Sequence, residues 1–409
     1  MKCRHCGSQN LSLVIDLGSS PPSNAYLFHK DLNKLEKWFP LKVNVCNECF
    51  LVQTEDYSNA DELFDSDYAY FSSFSKTMLD HSKNYVGDMV KRFSLNEESM
   101  VIEIAANDGY LLQFVKEKSI PCLGVEPTKS TAEAARQKGI EIVEEFFGVA
   151  LAEKLVDKGF SADLMTANNV LAHVPNINDF VAGYSILLKP EGIATFEFPY
   201  LVNLFEKNQF DTIYHEHYSY LSLSAVNTIF SSNGLHVFDV ELIDTHGGSL
   251  RVFAERKDSL REKLQSEMVN ELLVNEKGGG YLSDRAYGGF QQVAEKAKDD
   301  MLKFLINAKE EDKSVCAFGA AAKGNTFINF AGIRPDLISA VADSNPAKQE
   351  KFMPGSRIPI VSEEVLASYK PDYVVILPWN LKEEISSDLS YMRDWGCQFV
   401  VGIPKLEIL

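Results

Sequence analysis

The sequence is short of the features that would send a protein to a membrane or to nucleic acid. Its 409 residues contain no run of 18 apolar residues, the minimum for a membrane-spanning helix. The opening MKCRHCGSQN lacks the apolar core of a secretory signal, so a cytoplasmic protein with no membrane partner is expected. Basic residues are outnumbered: 40 Lys and Arg against 58 Asp and Glu give a net charge of −18. Binding a phosphate backbone needs a basic face, so this balance argues against a nucleic-acid partner. No coiled-coil heptads or long apolar surface helix force assembly, and a monomer or weak oligomer is expected.

Cysteine is sparse but unevenly placed. Of seven, four form two C-x-x-C pairs, Cys3 with Cys6 and Cys46 with Cys49, while Cys122, Cys316 and Cys397 stand alone. In a cytosolic chain such pairs read as a metal site before they read as disulfides, with redox pairs the weaker alternative. Four thiolates complete the tetrahedral shell of a structural zinc, and the 39 residues between the pairs suit a ribbon with insertions. His5, inside the first pair, reads as a bystander, and the single cysteines as buried thiols.

What is present in quantity is globular. Hydrophobic residues make up 45% and charged residues 24%, and the length calls for two or three domains. SMVIEIAANDGYLLQFVKE is an apolar strand, a small-residue turn and a helix, and CLGVEP is a second strand ending at Glu126. This begins a doubly wound α/β sheet. The turn lacks G-x-G-x-x-G, which weakens a dinucleotide reading. Instead Glu103, Ala105, Asn107 and Gly109 set an acid two residues before a small-residue turn. That pattern resembles class I methyltransferases, whose S-adenosylmethionine is cationic; Glu126 is placed to accept bonds from a ribose. A generic Rossmann-like domain stays open. ADLMTANNVLAHVPN adds a strand with a polar tip at Asn168, Asn169 and His173, and GLHVFDVELI with GSLRVFAERK reads as a closing antiparallel pair.

Between the fifth strand and that pair lies TIYHEHYSYLS, in a chain with only eight histidines. A second metal site, a solvated loop and acid–base machinery compete for it. His215 and His217 are two apart and would diverge on a helix, whereas His and Tyr can relay a proton.

Taken together, the cysteine pairs, DYAYFSSFS, NNVLAHVPNINDF, FEFPYL, YHEHYSYLS, THGGSLR and GAAAKGNT resemble the nucleotide-sugar C-methyltransferases over essentially the whole chain. The resemblance implies three α/β domains: a zinc-binding region at 1–70, a methyl-donor domain at 71–257, and a helical connection with a Rossmann-like domain at 258–409. It implies S-adenosylmethionine, a structural zinc and a keto-deoxysugar nucleotide substrate. It further implies that His217, ahead of Tyr214, removes a proton from carbon, that Glu216 orients the pair, and that His173 and Tyr68 complete the pocket wall. Gly247, Ser249 and Arg251 in THGGSLR are candidate substrate contacts, and so is the turn carrying Lys323, with Asn325 and Thr326 as caps of a phosphate cradle. Asp343 ends a strand as a ribose-binding acid would, which keeps an NAD-dependent oxidoreductase among the rivals. An O- or N-methyltransferase and a non-catalytic zinc and nucleotide-binding module are the others.

Overall fold

A computed structural model of the chain describes residues 1–57, 71–259, 261 and 265–409, with residue 246 described by its backbone alone. Tyr68 lies outside the described residues. The N-terminal region is a twisted antiparallel ribbon, β1 (Leu11–Ser20) against β2 (Phe39–Cys46), extended by β3 (Val52–Thr54).

The middle of the chain forms a mostly parallel sheet. Its strands β4 (Val101–Ile104), β5 (Cys122–Val125), β6 (Glu141–Val143), β7 (Ala162–Asn168) and β8 (Leu188–Pro199) run parallel to one another. All four residues of β4 are buried, as a central strand covered on both faces requires. β9 (Ser219–Tyr220) does not join this sheet; it pairs antiparallel with β3 and becomes the fourth strand of the N-terminal ribbon. β10 (Leu235–Ile243) and β11 (Ser249–Arg256) close the central sheet as an antiparallel pair, giving the order β10-β11-β8-β7-β4-β5-β6. The expected closing pair is therefore present, with β11 inserted beside β8.

One flank of that sheet is covered by α1 (Lys76–Phe93), whose entry is capped by the Ser75 hydroxyl accepting from Met78 N–H. Tyr85, Val86 and Met89 are its buried face. On the other side of the loop that follows β9, α2 (Leu223–Ser232) leads into β10. Two helices, α3 (Glu267–Gly279) and α4 (Phe290–Glu310), then cross to the C-terminal third. Gly280 and Gly289, both with φ near +90°, stop one and start the other, which explains the glycine clusters there.

The last third is a second, smaller sheet. Strands β12 (Val315–Phe318), β13 (Val341–Ala342), β14 (Ile360–Val361), β15 (Tyr373–Ile376) and β16 (Gln398–Val401) are parallel, and β17 (Glu407–Ile408) adds an antiparallel edge. Helix α5 (Ala322–Ala331) follows β12.

The N-terminal ribbon owns no separate core among the described residues. Val14, Ile15, Leu17 and Val43 join one apolar cluster with Ala294 and Met301 of α4 and Phe327 and Ile328 of α5. Cys3, Cys46 and Leu51 belong instead to the cluster of the central sheet. The ribbon thus wedges between the two sheets, and burying these aliphatic side chains, each contributing about 1.5–3 kcal/mol, fixes all three units together.

Glu276 ties α3 to the same region. Its fully buried carboxylate accepts from Tyr200 Oη at 2.9 Å, Leu223 N at 2.6 Å and Ser224 N at 2.8 Å, satisfying the first turn of α2. Glu276→Ala leaves these donors and the Ser224 hydroxyl, which also bonds the carboxylate, unpaired and is expected to cost about 3 kcal/mol, measured by urea denaturation; Glu276→Gln should lose less. An unchanged midpoint for Glu276→Ala would show that these donors find other partners.

Candidate functional site

The four thiols converge. Cys3 Sγ lies 3.5 Å from Cys49 Sγ, Cys6 Sγ lies 3.5 Å from Cys46 Sγ, and all four sit within 4.8 Å of one another. A tetrahedron of Zn–S bonds of about 2.3 Å needs sulfurs about 3.8 Å apart, so the four fit a zinc ion. Each pair sits on a knuckle whose turn is closed by a backbone bond to the first cysteine carbonyl, from Gly7 N and from Phe50 N, both 2.9 Å. Gly7 and Phe50 take positive φ to make it. The knuckle also docks. His5 Nδ1 pairs with Asn178 Oδ1 at 2.7 Å, Arg4 donates to Pro175 O, and the Arg4 guanidinium lies over the Tyr218 ring. His5 is therefore a fastening between ribbon and central sheet.

The donor turn after β4 is tight. Ala105 and Asn107 hold φ of 56° and 48°, positions that normally favour glycine, and Asn107 N donates to Glu126 Oε2 at 2.9 Å. Thr128 N donates to Glu126 Oε1, also at 2.9 Å. Burial raises the Glu126 pKa against these two bonds. Glu103 is 1% exposed, and neither carboxylate oxygen is within full hydrogen-bonding geometry of a donor among the described residues. Burial first, then the charges of Glu126 and Asp108, push it well above the usual carboxylate range. The Tyr110 hydroxyl and the Leu112 amide oppose that rise only in part, and a buried carboxyl at this edge fits a cationic ligand, as an ammonium–sulfonium donor is. Gly109 serves packing: a β-carbon there would fall 2.4 Å from Ile140 Cδ1. Ser72 N donates to Asn107 Oδ1, so the chain entering α1 lies against the donor turn. At the neighbouring strand tip, Asn168 Oδ1 accepts from Thr166 Oγ1, while Asn168 Nδ2 is buried without a partner among the described residues.

The histidine stretch is buried across the junction. His217 Nδ1 meets the Thr212 carbonyl at 2.8 Å, and its Nε2 meets Tyr214 Oη at 2.7 Å. A carbonyl only accepts, so Nδ1 carries the hydrogen and Nε2 accepts from the tyrosine hydroxyl. Tyr214 is half-buried and His217 lies behind it at 7% exposure. His173 packs edge-on against His217, ring centroids 4.6 Å apart, and its Nδ1 donates to the Glu216 carbonyl at 2.8 Å. Burial lowers the His173 pKa to about 4.

Several expected roles are corrected by this geometry. Glu216 does not orient the pair: its Oε1 accepts from Asn24 N and Asn24 Nδ2, at 3.3 and 3.2 Å, in the Pro-rich loop of the ribbon. Thr212 orients His217 instead. His215 reaches Pro40 O at 3.2 Å and lies edge-on to Phe39, which gives it a docking position. Arg251 is unavailable to a phosphate, because Nε and Nη2 bond Glu197 and Nη1 bonds Glu241 at 2.7–2.8 Å. Strand pairing sets Arg251 opposite Glu197, whose second oxygen takes His81 Nε2. Asn325 and Thr326 are no caps: they sit inside α5, where Asn325 Nδ2 donates to Ser23 O at 2.6 Å and Thr326 Oγ1 to Ile213 O at 2.8 Å. Lys323 donates to Asn380 Oδ1 at 2.7 Å. Ser249 Oγ is turned back to Thr245 O, and Gly247 packs under Trp379, where a β-carbon would approach Cη2 to 2.6 Å. Asp343 pairs with Lys348, and Tyr26 from the ribbon donates to Ala320 O at 2.6 Å, filling the turn an NAD pyrophosphate would need. Thr212 and Trp379 escaped sequence reading; the only signal was the position of Trp379 just past a strand end.

Family models match nearly the whole chain: a zinc binding domain at residues 3–64, a methyltransferase domain at 78–240 and a C-methyltransferase C-terminal domain at 244–404. The C-methyltransferase NovU of Streptomyces niveus is 33% identical over 408 residues, covering 100% of this chain and 96% of its own. Among solved structures, magnesium protoporphyrin IX methyltransferase of Synechocystis with bound S-adenosylmethionine matches 44% of this chain and 82% of its own, at 14% identity and TM-score 0.33. An S-adenosylmethionine-dependent methyltransferase of Clostridium acetobutylicum matches 44% and 92%, at 8% identity and TM-score 0.35. Likenesses this slight say nothing about substrate or mechanism. Zinc at the four cysteines and S-adenosylmethionine at the central sheet are the cofactors of this chain.

Two outcomes test these environments. Cys46→Ser should abolish stoichiometric zinc by elemental analysis and lower the melting temperature; full zinc retention would disqualify the cluster. His173 should titrate near pH 4 by NMR. An unfolded histidine takes its proton near 6.5, so stability from this site is present above that pH and lost as pH falls toward 4. A midpoint at the unfolded value would mean that the pocket is wet.

Proposed function

Because the chain belongs to the S-adenosylmethionine-dependent C-methyltransferase family, we propose that it adds a branch methyl to the carbon next to the ketone of a nucleoside-diphosphate 4-keto-deoxysugar, with dTDP as the first nucleotide to try. Bound S-adenosylmethionine supplies an electrophilic methyl group, which only a carbon made nucleophilic can accept. Carbon beside a ketone becomes nucleophilic by losing a proton to a positioned base, and this chain's part is to take that proton.

The observation that carries the reading is the oriented pair of Tyr214 and His217, bonded at 2.7 Å with the far nitrogen pinned to Thr212. The half-buried Tyr214 oxygen accepts the substrate proton while its own hydrogen moves to His217 Nε2. The resulting imidazolium keeps both N–H groups bonded, one to tyrosine and one to the Thr212 carbonyl. His217 is thus the base and Tyr214 the group through which it reaches the substrate. His173, neutral at physiological pH, adds no competing positive charge beside that ring. Glu103, Ala105, Asn107, Glu126 and Asn168 form the edge that holds the donor, with Gly109 packing beneath it and Glu103 facing the donor's positive charge. The sugar nucleotide lies between the central sheet and the C-terminal domain. Zinc takes no part in the chemistry and fastens the ribbon that carries Arg4 and Thr54 against the pair.

Incubation with S-adenosylmethionine and a panel of dTDP-4-keto-deoxysugars should yield a carbon-bound methyl by mass and NMR. Without the donor, the enzyme should exchange one carbon-bound proton for solvent deuterium. Methylation on oxygen or nitrogen with every carbon-bound proton retained would overturn the reading. Tyr214→Phe and His217→Asn should each lower kcat by roughly 10²–10⁴-fold while S-adenosylhomocysteine binds normally. Because the two act as a unit, the double variant should be no slower than the slower single one.

A further inference from the structure

The residues just upstream of the pair are held from outside the methyl-donor domain. Trp379, past the end of β15, donates its indole N–H to Asp211 Oδ2 at 2.8 Å. Thr326 of α5 donates to the Ile213 carbonyl at 2.8 Å. Between those two anchor points stands Thr212, whose carbonyl meets His217 Nδ1. Asp211 is 1% exposed; burial raises it to about 6, opposed by the charge of Lys323 and the Trp379 bond. Trp379 also packs on Gly247, where a β-carbon would fall 2.6 Å from its ring. A one-turn segment this short, fixed at both ends by a rigid helix and a strand end, has little freedom to redirect the carbonyl in its middle.

We propose that Thr326 and Trp379 of the C-terminal domain are positioning residues for proton transfer: by gripping residues 211 and 213 they aim the Thr212 carbonyl at His217 Nδ1. The hydrogen of the imidazole then stays on Nδ1, and Nε2 is kept as the acceptor facing Tyr214. This rests on the reading that Tyr214 and His217 move the substrate proton. It assigns the smaller sheet a second task besides covering the substrate, namely setting the tautomer of a base it does not touch. A carbonyl that swings out of line lets the ring hydrogen sit on either nitrogen, and in the wrong tautomer Nε2 cannot accept.

The test compares Thr326→Val, Thr326→Ser and Trp379→Phe in the full-length, zinc-loaded enzyme. Thr326→Val and Trp379→Phe should each lower kcat roughly tenfold to a hundredfold with KM for S-adenosylmethionine unchanged. Thr326→Ser, which keeps the hydroxyl, should recover turnover. With ¹⁵N-labelled histidine, the His217 nitrogens should report an Nδ1–H ring in the parent and a mixture of tautomers in the two damaging variants. Parental kcat and parental nitrogen shifts in Thr326→Val and Trp379→Phe would overturn the proposal; if Thr326→Val fails to fold, Trp379→Phe decides by the same readouts. Parental turnover in His217→Asn would instead sink the proton-transfer reading beneath it.

Discussion

One hydrogen bond, from His217 Nδ1 to the carbonyl of Thr212, is what the rest of the site depends on. A backbone carbonyl has no hydrogen to give, so it fixes which nitrogen of the ring is protonated without itself titrating. A carboxylate in the same place would draw the proton toward itself and add a negative charge beside the ring. The carbonyl orients without competing. Its weakness is that a main-chain group stays aimed only as long as the chain around it does.

The surroundings supply that stiffness from three directions. Thr54 of the ribbon bonds the His217 carbonyl, and Thr54 N bonds the Tyr218 carbonyl. Tyr218 N bonds Ala172 O, beside His173. His215 and Glu216, which precede His217, reach Pro40 and Asn24. Burying so many polar groups in one short loop is costly where they are unpaired, and the bonds to Thr54, Pro40 and Asn24 cross between units of the molecule. The same contacts that satisfy the loop therefore hold the ribbon and both sheets in one arrangement. The shared apolar clusters work in the same direction, since the ribbon cannot leave without exposing Ile15 and Val43 on one side and Leu51 on the other.

Much of this was legible in the residues. The apolar runs at Val101–Ile104 and Ala162–Asn168, the acid at Glu126 and the late antiparallel pair pointed to the central sheet, and two C-x-x-C pairs to the metal cluster. The strands Ser219–Tyr220 and Glu407–Ile408 carry too little pattern to be read and pair because a neighbour offers an edge. The errors share a cause. Arg251, Glu216, Asn325 and Thr326 all carry the right chemistry to bind a ligand, and a sequence cannot tell a ligand oxygen from a carbonyl or carboxylate of another domain. Glu197 across the strand, or Ser23 at the far end of the chain, satisfies the same donors. Thr212 acts through its backbone, where the identity of the side chain leaves no mark.

The pairing of Ser219 and Tyr220 with the ribbon has a further consequence, for how the protein is made. Thr54 and His217 are bonded across 163 positions of chain. At about 5–20 residues per second on the ribosome, the ribbon waits on the order of 10–30 s for its last strand. During that interval its third strand presents an open edge, while all four cysteines of the metal cluster are already made. The open edge of β3 is closed only when Ser219 and Tyr220 pair with it, so the first unit completes its sheet with a strand of the second.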